Sequence, residues 1–189
     1  MKLFLIRHGQ TEDNEKKIFS GQLDHMLSEK GRQQAAALAP VLGKIPFDRV
    51  YSSDLTRAMD TQKLALPQYE AITLPLLREY SLGSLSGLPY KTVREEYGIT
   101  NSDYSPYGGE SIPMVDARTK SFLSILEEDP CDYVAAFVHG GIIRSFMRHV
   151  LGSNANTRAL VNSNCFVAVL TFEDNEWKLL SWNYAGTDV

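Results

Sequence analysis

Two histidines in this sequence stand where a short apolar run ends and glycine follows. Residues 4–9 read Phe-Leu-Ile-Arg-His-Gly, and residues 136–141 read Ala-Phe-Val-His-Gly-Gly. Continuous apolar runs of this length are typical of buried parallel strands. Ligands of open α/β sheets bind beyond the carboxyl ends of such strands. We therefore predict that His8 and His139, 131 positions apart, meet in one crevice.

The residues around this crevice suit a phosphoryl group. Arg7 precedes the first histidine, and Arg57 lies in the first turns of the helix predicted after the strand end at 50–52. Guanidinium groups present forked donors that match phosphate oxygens. A helix beginning near Gly140 adds unpaired N–H groups and a positive dipole end. Neutral donors can come from Thr11 or Asn14.

Other chemistries fit less well. The four histidines include no His-x-x-x-His pair, so a zinc site would need Asp24 or Glu79 in a set without recognisable ligand spacing. No Gly-x-Gly-x-x-Gly follows the first apolar run, which disfavours a dinucleotide-binding domain. We therefore predict neither a metal nor a cofactor.

Short apolar runs alternate along the sequence with segments of helical periodicity, a pattern typical of α/β proteins. These strands and helices must position the residues named above. Strands are predicted at 2–7, 48–52, 71–74, 132–138, 165–172 and 177–184. Helices are predicted at 28–43, 53–65, 111–128 and 141–151, the first kinked or ended early by Pro40. We predict one domain over 1–189: a three-layer, doubly wound, mostly parallel sheet flanked by helices. A C-terminal antiparallel hairpin and a lid insertion at about 83–110, rich in glycine, serine, proline and tyrosine, complete it.

Net charge, apolar segment length and cysteine content together disfavour several kinds of partner. The formal net charge of −4 and pI near 5.6 argue against a nucleic-acid partner. No segment approaches the roughly 18 apolar residues that span a bilayer, and Arg7 ends the opening apolar run too early for a secretory signal. Two cysteines without a Cys-x-x-Cys motif favour reduced thiols. We expect a cytoplasmic protein with a small-molecule ligand and no membrane partner, and leave a homodimer open.

Five motifs occur in an order known from one enzyme family. They are Leu5-Ile6-Arg7-His8-Gly9-Gln10-Thr11 with Asn14; Ser20-Gly21 with Asp24; Leu27-Ser28-Glu29-Lys30-Gly31-Arg32-Gln33-Gln34-Ala35; Tyr51-Ser52-Ser53-Asp54-Leu55-Thr56-Arg57-Ala58; and Glu79 followed by Gly108-Gly109-Glu110-Ser111 and Val138-His139-Gly140-Gly141. In this order the sequence resembles the histidine phosphatase superfamily, in its phosphoglycerate mutase-like branch.

The resemblance implies a role for each site residue. His8 would be the nucleophile that takes the phosphoryl group, and Glu79 would be the acid and base, with Asp24 or Glu110 as the next candidates. The phosphate pocket and substrate-side lining would comprise Arg7, Asn14, Ser20, Gly21, Arg57, His139 and Gly140. A neutral imidazole can attack through one ring nitrogen when the other is held by a hydrogen bond. The arginines and a charged His139 would compensate the negative charge on the phosphoryl oxygens.

We accordingly predict metal-independent hydrolysis of a small phosphorylated metabolite. Candidate substrates are alpha-ribazole-5'-phosphate, phosphoserine, sugar phosphates or a broad range. The family's frequent Gly-x-Trp-x-Gly is replaced at 83–87, and Gln22 replaces a frequent tryptophan, so the substrate-side wall is not predicted. A phosphoglycerate mutase is the alternative, although that branch has Arg-His-Tyr where residues 80–82 read Tyr-Ser-Leu. A non-catalytic phosphate-binding module is disfavoured because His8 and Glu79 are both present.

Overall fold

A mixed six-stranded sheet organises the chain. The computed structural model describes residues 1–98, 102–129 and 131–186. The strands are β1 (Lys2–Arg7), β2 (Arg49–Ser52), β3 (Ile72–Thr73), β4 (Tyr133–Val138), β5 (Val167–Glu173) and β6 (Glu176–Trp182). Their order is β3-β2-β4-β1-β5-β6. The first four in that order run parallel, whereas β5 is antiparallel to β1 and forms a hairpin with β6. The predicted mostly parallel sheet with a C-terminal hairpin is confirmed.

Helices cover both faces of the sheet. They are α1 (Glu12–Lys16), α2 (Glu29–Ala36), α3 (Ala39–Leu42), α4 (Thr56–Ala65), α5 (Tyr90–Glu95), α6 (Ile112–Glu128) and α7 (Gly140–Leu151). Alternate side chains of β1 enter two different cores: Leu3 and Leu5 pack with α6 and α7, whereas Phe4 and Ile6 pack with α3 and α4. This two-sided burial explains the continuous apolar run and produces the three predicted layers.

The helix predicted over 28–43 is interrupted. It ends at Ala36, and α3 begins at Ala39 with Pro40 in its first turn. Proline lacks the backbone N–H that a helix interior needs but is tolerated in a first turn. The expected effect of Pro40 is therefore observed as two short helices.

The region predicted as a lid has more regular structure than its composition indicates. Within the described part of 83–110, it contains α5 and two 3-10 turns, Gly83–Leu85 and Ser105–Tyr107. Leu85, Val93 and Tyr104 are buried in the core that also holds α6 and α7. These anchors fix the segment to the body of the protein around the site.

Three further properties complete the description of the fold. In the part of the chain that the structure describes, no helix combines the length and apolar character needed to cross a bilayer. Cys131 is buried and Cys165 is half-buried, and both are free thiols. Across the same residues, no three His, Cys, Asp or Glu side chains form a group that could hold a metal ion.

Candidate active site

Parallel pairing of β1 with β4 brings the two histidines together. Arg7 is in register with Val138, and the backbone N–H of His8 donates to the Val138 carbonyl at 3.0 Å. The imidazole centroids of His8 and His139 are 5.1 Å apart. His8 lines a cavity of about 1190 Å³, and His139 is fully buried next to it.

The local backbone fixes the tautomer and the orientation of the His8 imidazole. Its Nδ1 lies 2.7 Å from the Gly9 carbonyl oxygen. A carbonyl can only accept, so Nδ1 carries the proton and Nε2 keeps its lone pair. Burial lowers the pKa of His8 well below its usual value, and the charges of Arg57 and Arg7 lower it further. The imidazole is thus neutral and oriented, as covalent catalysis requires.

Arg57 is held rigidly at the start of α4. Its side chain is buried, and its two terminal nitrogens donate to the carbonyls of Leu23 at 2.8 Å and Gly21 at 2.7 Å. Gly21 has φ of +53°, and a Cβ there would lie 2.9 Å from the Tyr80 carbonyl oxygen. A left-handed conformation at such close approach requires glycine. The Ser20-Gly21 motif therefore shapes the backbone that fixes Arg57.

Arg7, which lines the cavity, and His139, which is buried beside it, have polar atoms without a protein partner. Arg7 donates through Nη1 to the Asn162 carbonyl. Its Nε, and both ring nitrogens of His139, are buried without a hydrogen-bond partner in the described structure. Buried unsatisfied donors are rare and call for an explanation such as a ligand. Their grouping beside His8 indicates an anion site.

The charge on His139 differs from the expectation. Burial lowers its pKa well below the usual value, and Arg57 and His8 act in the same direction. The surrounding protein groups therefore favour a neutral imidazole. A phosphoryl dianion would supply the opposite charge that raises this pKa again.

Asn14 is oriented by a residue that the sequence analysis missed. Its Oδ1 accepts from the Thr11 backbone N–H at 3.2 Å and from Asn164 Nδ2 at 3.0 Å. Asn164 also donates to the His8 carbonyl at 3.1 Å. Because Oδ1 is occupied, the amide nitrogen of Asn14 is the group presented to an anion. Thr11 caps α1 through its hydroxyl, which accepts from the Asn14 N–H at 3.3 Å.

Glu79 lines the same cavity as His8. Its carboxylate accepts from the Gly141 N–H at 3.0 Å and from the Tyr80 N–H at 2.9 Å. A Cβ on Gly141 would overlap this carboxylate. The second glycine of His-Gly-Gly is thus needed for the carboxylate to reach the start of α7. The Glu79 carbonyl is held by Gln22 Nε2 at 3.0 Å and by Arg118 Nη2 at 3.1 Å.

The two alternative carboxylates lie elsewhere. Asp24 accepts from the backbone N–H and the hydroxyl of Thr56, both at 2.7 Å, and so caps α4. Glu110 pairs with Arg118 at 2.9 Å and accepts from the Ser81 N–H at 2.8 Å. Neither lines the cavity, and Glu79 is the one carboxylate among its described lining residues.

The remaining predicted residues line the cavity in different ways. Ser20 donates its hydroxyl to Asp13 at 2.8 Å, so this hydroxyl already has a protein partner. Gly140 begins α7 beside Arg7, and a Cβ there would lie 3.3 Å from the Arg7 guanidinium. Asn162 donates to the Gly140 carbonyl at 2.9 Å, which ties the 160–165 loop to this helix start.

An aromatic wall closes the side of the cavity away from the sheet. Phe19 packs on Tyr90 with centroids 4.3 Å apart, and Tyr104 contacts Phe19 at 6.3 Å and Tyr80 at 5.9 Å. All four rings line the cavity. Four of the tyrosines and phenylalanines that the sequence left unassigned therefore form the substrate-side surface.

Fold and site together define a member of a known enzyme family. The profile of the histidine phosphatase superfamily (branch 1) matches residues 3–185, and the chain belongs to that superfamily.

Particular relatives match over almost the whole chain. A metal-independent phosphoserine phosphatase of Arabidopsis thaliana is 32% identical, covering 96% of this chain and 81% of the relative. A glucosyl-3-phosphoglycerate phosphatase of Mycobacterium tuberculosis is 31% identical, covering 96% and 94%. Among solved structures, a mycobacterial glucosyl-3-phosphoglycerate phosphatase in complex with VO3 superposes with a TM-score of 0.86 at 31% identity, covering 97% and 99%.

Proposed function

We propose that this protein hydrolyses phosphomonoesters of small metabolites through a phosphohistidine on His8. One observation carries the proposal: the free Nε2 lone pair of a tethered, neutral His8 shares its pocket with buried, unpartnered donors on Arg7 and His139. Nucleophile and electrophilic cradle converge where a phosphorus atom and its oxygens would sit.

In the first step, His8 Nε2 attacks phosphorus while the bond to the ester oxygen breaks. Arg7, Arg57 and Asn14 hold the non-bridging oxygens, and Glu79 in its acid form gives a proton to the leaving alkoxide. The products of this step are the free alcohol and a phosphoryl group on His8.

In the second step, the resulting Glu79 carboxylate takes a proton from water. The water oxygen forms the new bond to phosphorus as the P–N bond breaks, which releases inorganic phosphate and restores His8 and protonated Glu79. The Gly141 N–H, which donates to the Glu79 carboxylate at 3.0 Å, holds this side chain at the start of α7.

The cavity supports a small metabolite as the substrate. About 1190 Å³ leaves room for an organic group beyond the phosphate, next to the aromatic wall. Relatives named for phosphoserine and for glucosyl-3-phosphoglycerate keep these two classes among the candidates, beside sugar phosphates and alpha-ribazole-5'-phosphate. We propose a cytoplasmic enzyme without a nucleic-acid or membrane partner, and light scattering on the purified protein would decide between a monomer and a homodimer.

The test is a panel of phosphomonoesters combined with a trapped intermediate. Phosphate release should require no added metal, and rapid quench with a ³²P-labelled substrate should give protein-bound label that is acid-labile and base-stable, as a phosphohistidine is. Acid-stable label on a serine, or transfer of the phosphoryl group to a second metabolite instead of water, would contradict the proposed hydrolysis. The second result would favour the phosphoglycerate mutase alternative.

A further inference from the structure

The cavity is far more basic than the protein that contains it. The chain has a net charge of −4, yet seven arginines and lysines line the cavity and Glu79 is the sole carboxylate among its described lining residues. The basic residues are Arg7, Lys17, Arg57, Arg94, Arg144, Arg148 and Arg158. Such focused charge exceeds what a single phosphoryl group needs.

Protein partners account for only part of this charge. Arg148 is paired with Asp116 at 2.6 Å, and Arg158 donates to the Ser102 hydroxyl at 3.0 Å. Arg7 and Arg57 belong to the pocket around His8. Arg158, Lys17, Arg94 and Arg144 all have no salt-bridge partner among the described residues. The Ser102 hydroxyl holds Arg158 without compensating its charge, so Lys17, Arg94 and Arg144 remain.

Arg144 is the best-placed of the three remaining cations. It is half-buried on α7, and its Nε is buried without a hydrogen-bond partner within the described chain. It follows Gly140 by four residues, so it lies on the same helix face, about 6 Å further along the axis. The guanidinium is thus close to the phosphate pocket but outside it.

The backbone brings two further groups to Arg144 from the lid side. The Tyr90 N–H donates to the Lys17 carbonyl at 2.8 Å, which joins the start of α5 to the end of α1. Arg94 lies one helical turn after Tyr90 on α5. Tyr90, Arg94 and Arg144 all line the same cavity. Burial raises the pKa of Tyr90, and the positive charges of Arg7, Arg144 and Arg94 oppose this rise. The phenol therefore remains a hydrogen-bond donor at neutral pH.

We propose that Arg144, Arg94, Lys17 and Tyr90 form a second anion subsite, which binds a carboxylate or second phosphate of the substrate a few atoms from the scissile phosphate. The proposal rests on the proposed hydrolase function and narrows its substrate class to phosphomonoesters with two anionic groups. The chemistry of the four groups matches an anion: the two guanidiniums and the ammonium can only donate hydrogen bonds, and the protonated phenol can donate one as well.

The test compares substrates that differ only in the second anion. 3-Phosphoglycerate has a carboxylate where glycerol 3-phosphate has a hydroxymethyl group, and fructose 1,6-bisphosphate adds a phosphate to fructose 6-phosphate. We expect kcat/KM to be higher, by about tenfold or more, for the substrate with the second anionic group in at least one pair. The pair that shows the preference identifies the second anion as carboxylate or phosphate.

Substitutions assign the preference to the subsite. Arg144→Gln should reduce the kcat/KM ratio within the preferred pair by about tenfold, and Arg94→Gln, on a more exposed side chain, by less. Lys91→Gln is the matched control, because Lys91 lies on the same short helix but is exposed and faces Glu95 at 3.9 Å. The control should keep the wild-type ratio. No preference in either pair, or an equal loss for both members in Arg144→Gln, would overturn the subsite.

Binding measured without turnover separates this proposal from the proposed function. In a His8→Ala background, calorimetry should show tighter binding of the substrate with the second anionic group. Adding Arg144→Gln should abolish this difference in affinity within the pair. If the wild type hydrolyses no phosphomonoester but this binding difference is present, the hydrolase proposal fails and the subsite stands. If the wild type hydrolyses both members of each pair equally and binding also shows no difference, the subsite fails and the hydrolase stands.

Discussion

The two ends of the cavity are built on different principles. At the phosphate end, His8, Arg57 and His139 project from central strands and a buried helix start, and their backbones are fixed by carbonyl and amide contacts. At the lid end, the exposed Arg94 lies on a helix of six residues, and the exposed Lys17 directly follows a helix of five. The groups proposed for the reaction common to all substrates lie on rigid central elements. The groups proposed for recognising the rest of the substrate lie on or next to short helices.

Removing the nucleophile gives the largest expected effect, because it eliminates the shared chemistry of the phosphate end. His8→Ala should lower kcat by at least about 10³-fold for every substrate, whatever lies at the lid end. Steady-state rates over the phosphomonoester panel measure this. His25→Ala is the control, since His25 is half-exposed against Asp13 and does not line the cavity. A loss of activity confined to some substrates would contradict the assignment of the common chemistry to the phosphate end.

Glu79 lies between the two ends, so its effect should depend on the leaving group. Glu79→Gln should slow single-turnover phosphorylation by alkyl phosphates about 10²-fold or more, but p-nitrophenyl phosphate much less, because nitrophenolate departs without a proton. With the aryl ester, a burst of one equivalent followed by slow turnover would report the missing base in the second step. Equal small losses for both esters would remove Glu79 from proton transfer.

The burial of the phosphate end also predicts how stability depends on pH. His8 and His139 have pKa values below the usual range in the folded state, so only the unfolded chain takes up their protons as the pH falls below about 6.5. Their contribution is complete above that pH. Below it, each should reduce the free energy of unfolding by up to about 1.4 kcal/mol per pH unit.

Urea unfolding at pH 7.5 and 5.0 tests this dependence. His139→Gln should show a shallower decrease in stability than the wild type, since one of the two protons is no longer taken up. Parallel decreases in wild type and variant would mean that His139 is already protonated in the folded protein.

The smallest expected effect concerns a motif residue that lies outside both ends. Asp24 caps α4, so Asp24→Ala should lower the free energy of unfolding by about 1 kcal/mol. We expect kcat/KM on p-nitrophenyl phosphate to change little, and Asp24→Asn should restore part of the stability. A loss in kcat with unchanged stability would instead place Asp24 in the chemistry.

The sequence was most informative where burial is two-sided. The strand predicted at 2–7 is observed at Lys2–Arg7, because both faces of β1 are covered and every residue between its ends is apolar. The edge strand predicted at 71–74 shrinks to Ile72–Thr73, since it pairs on one side and its residues are exposed. The hydrophobic pattern thus predicts the central strand β1 well and the short edge strand β3 poorly, whereas the other edge strand, predicted at 177–184, is observed at Glu176–Trp182 because it is held in a hairpin.

Short elements and tertiary contacts could not be read from the pattern. α1 has five residues and depends on the reciprocal contacts of Thr11 and Asn14, too local for any periodicity. Asn162 contacts Gly140, and Asn164 contacts His8, which lies more than a hundred positions earlier in the chain. The one available signal was an Asn-Ser-Asn run at 162–164 directly before a predicted strand.

The central position of β1 has a consequence for biosynthesis. This strand precedes its hydrogen-bonding neighbours β4 and β5 by more than a hundred residues. Contacts of such sequence separation form late and slowly, after the loops between them have closed. The pocket around His8 therefore cannot form before β4 and β5 have been synthesised and have paired with β1.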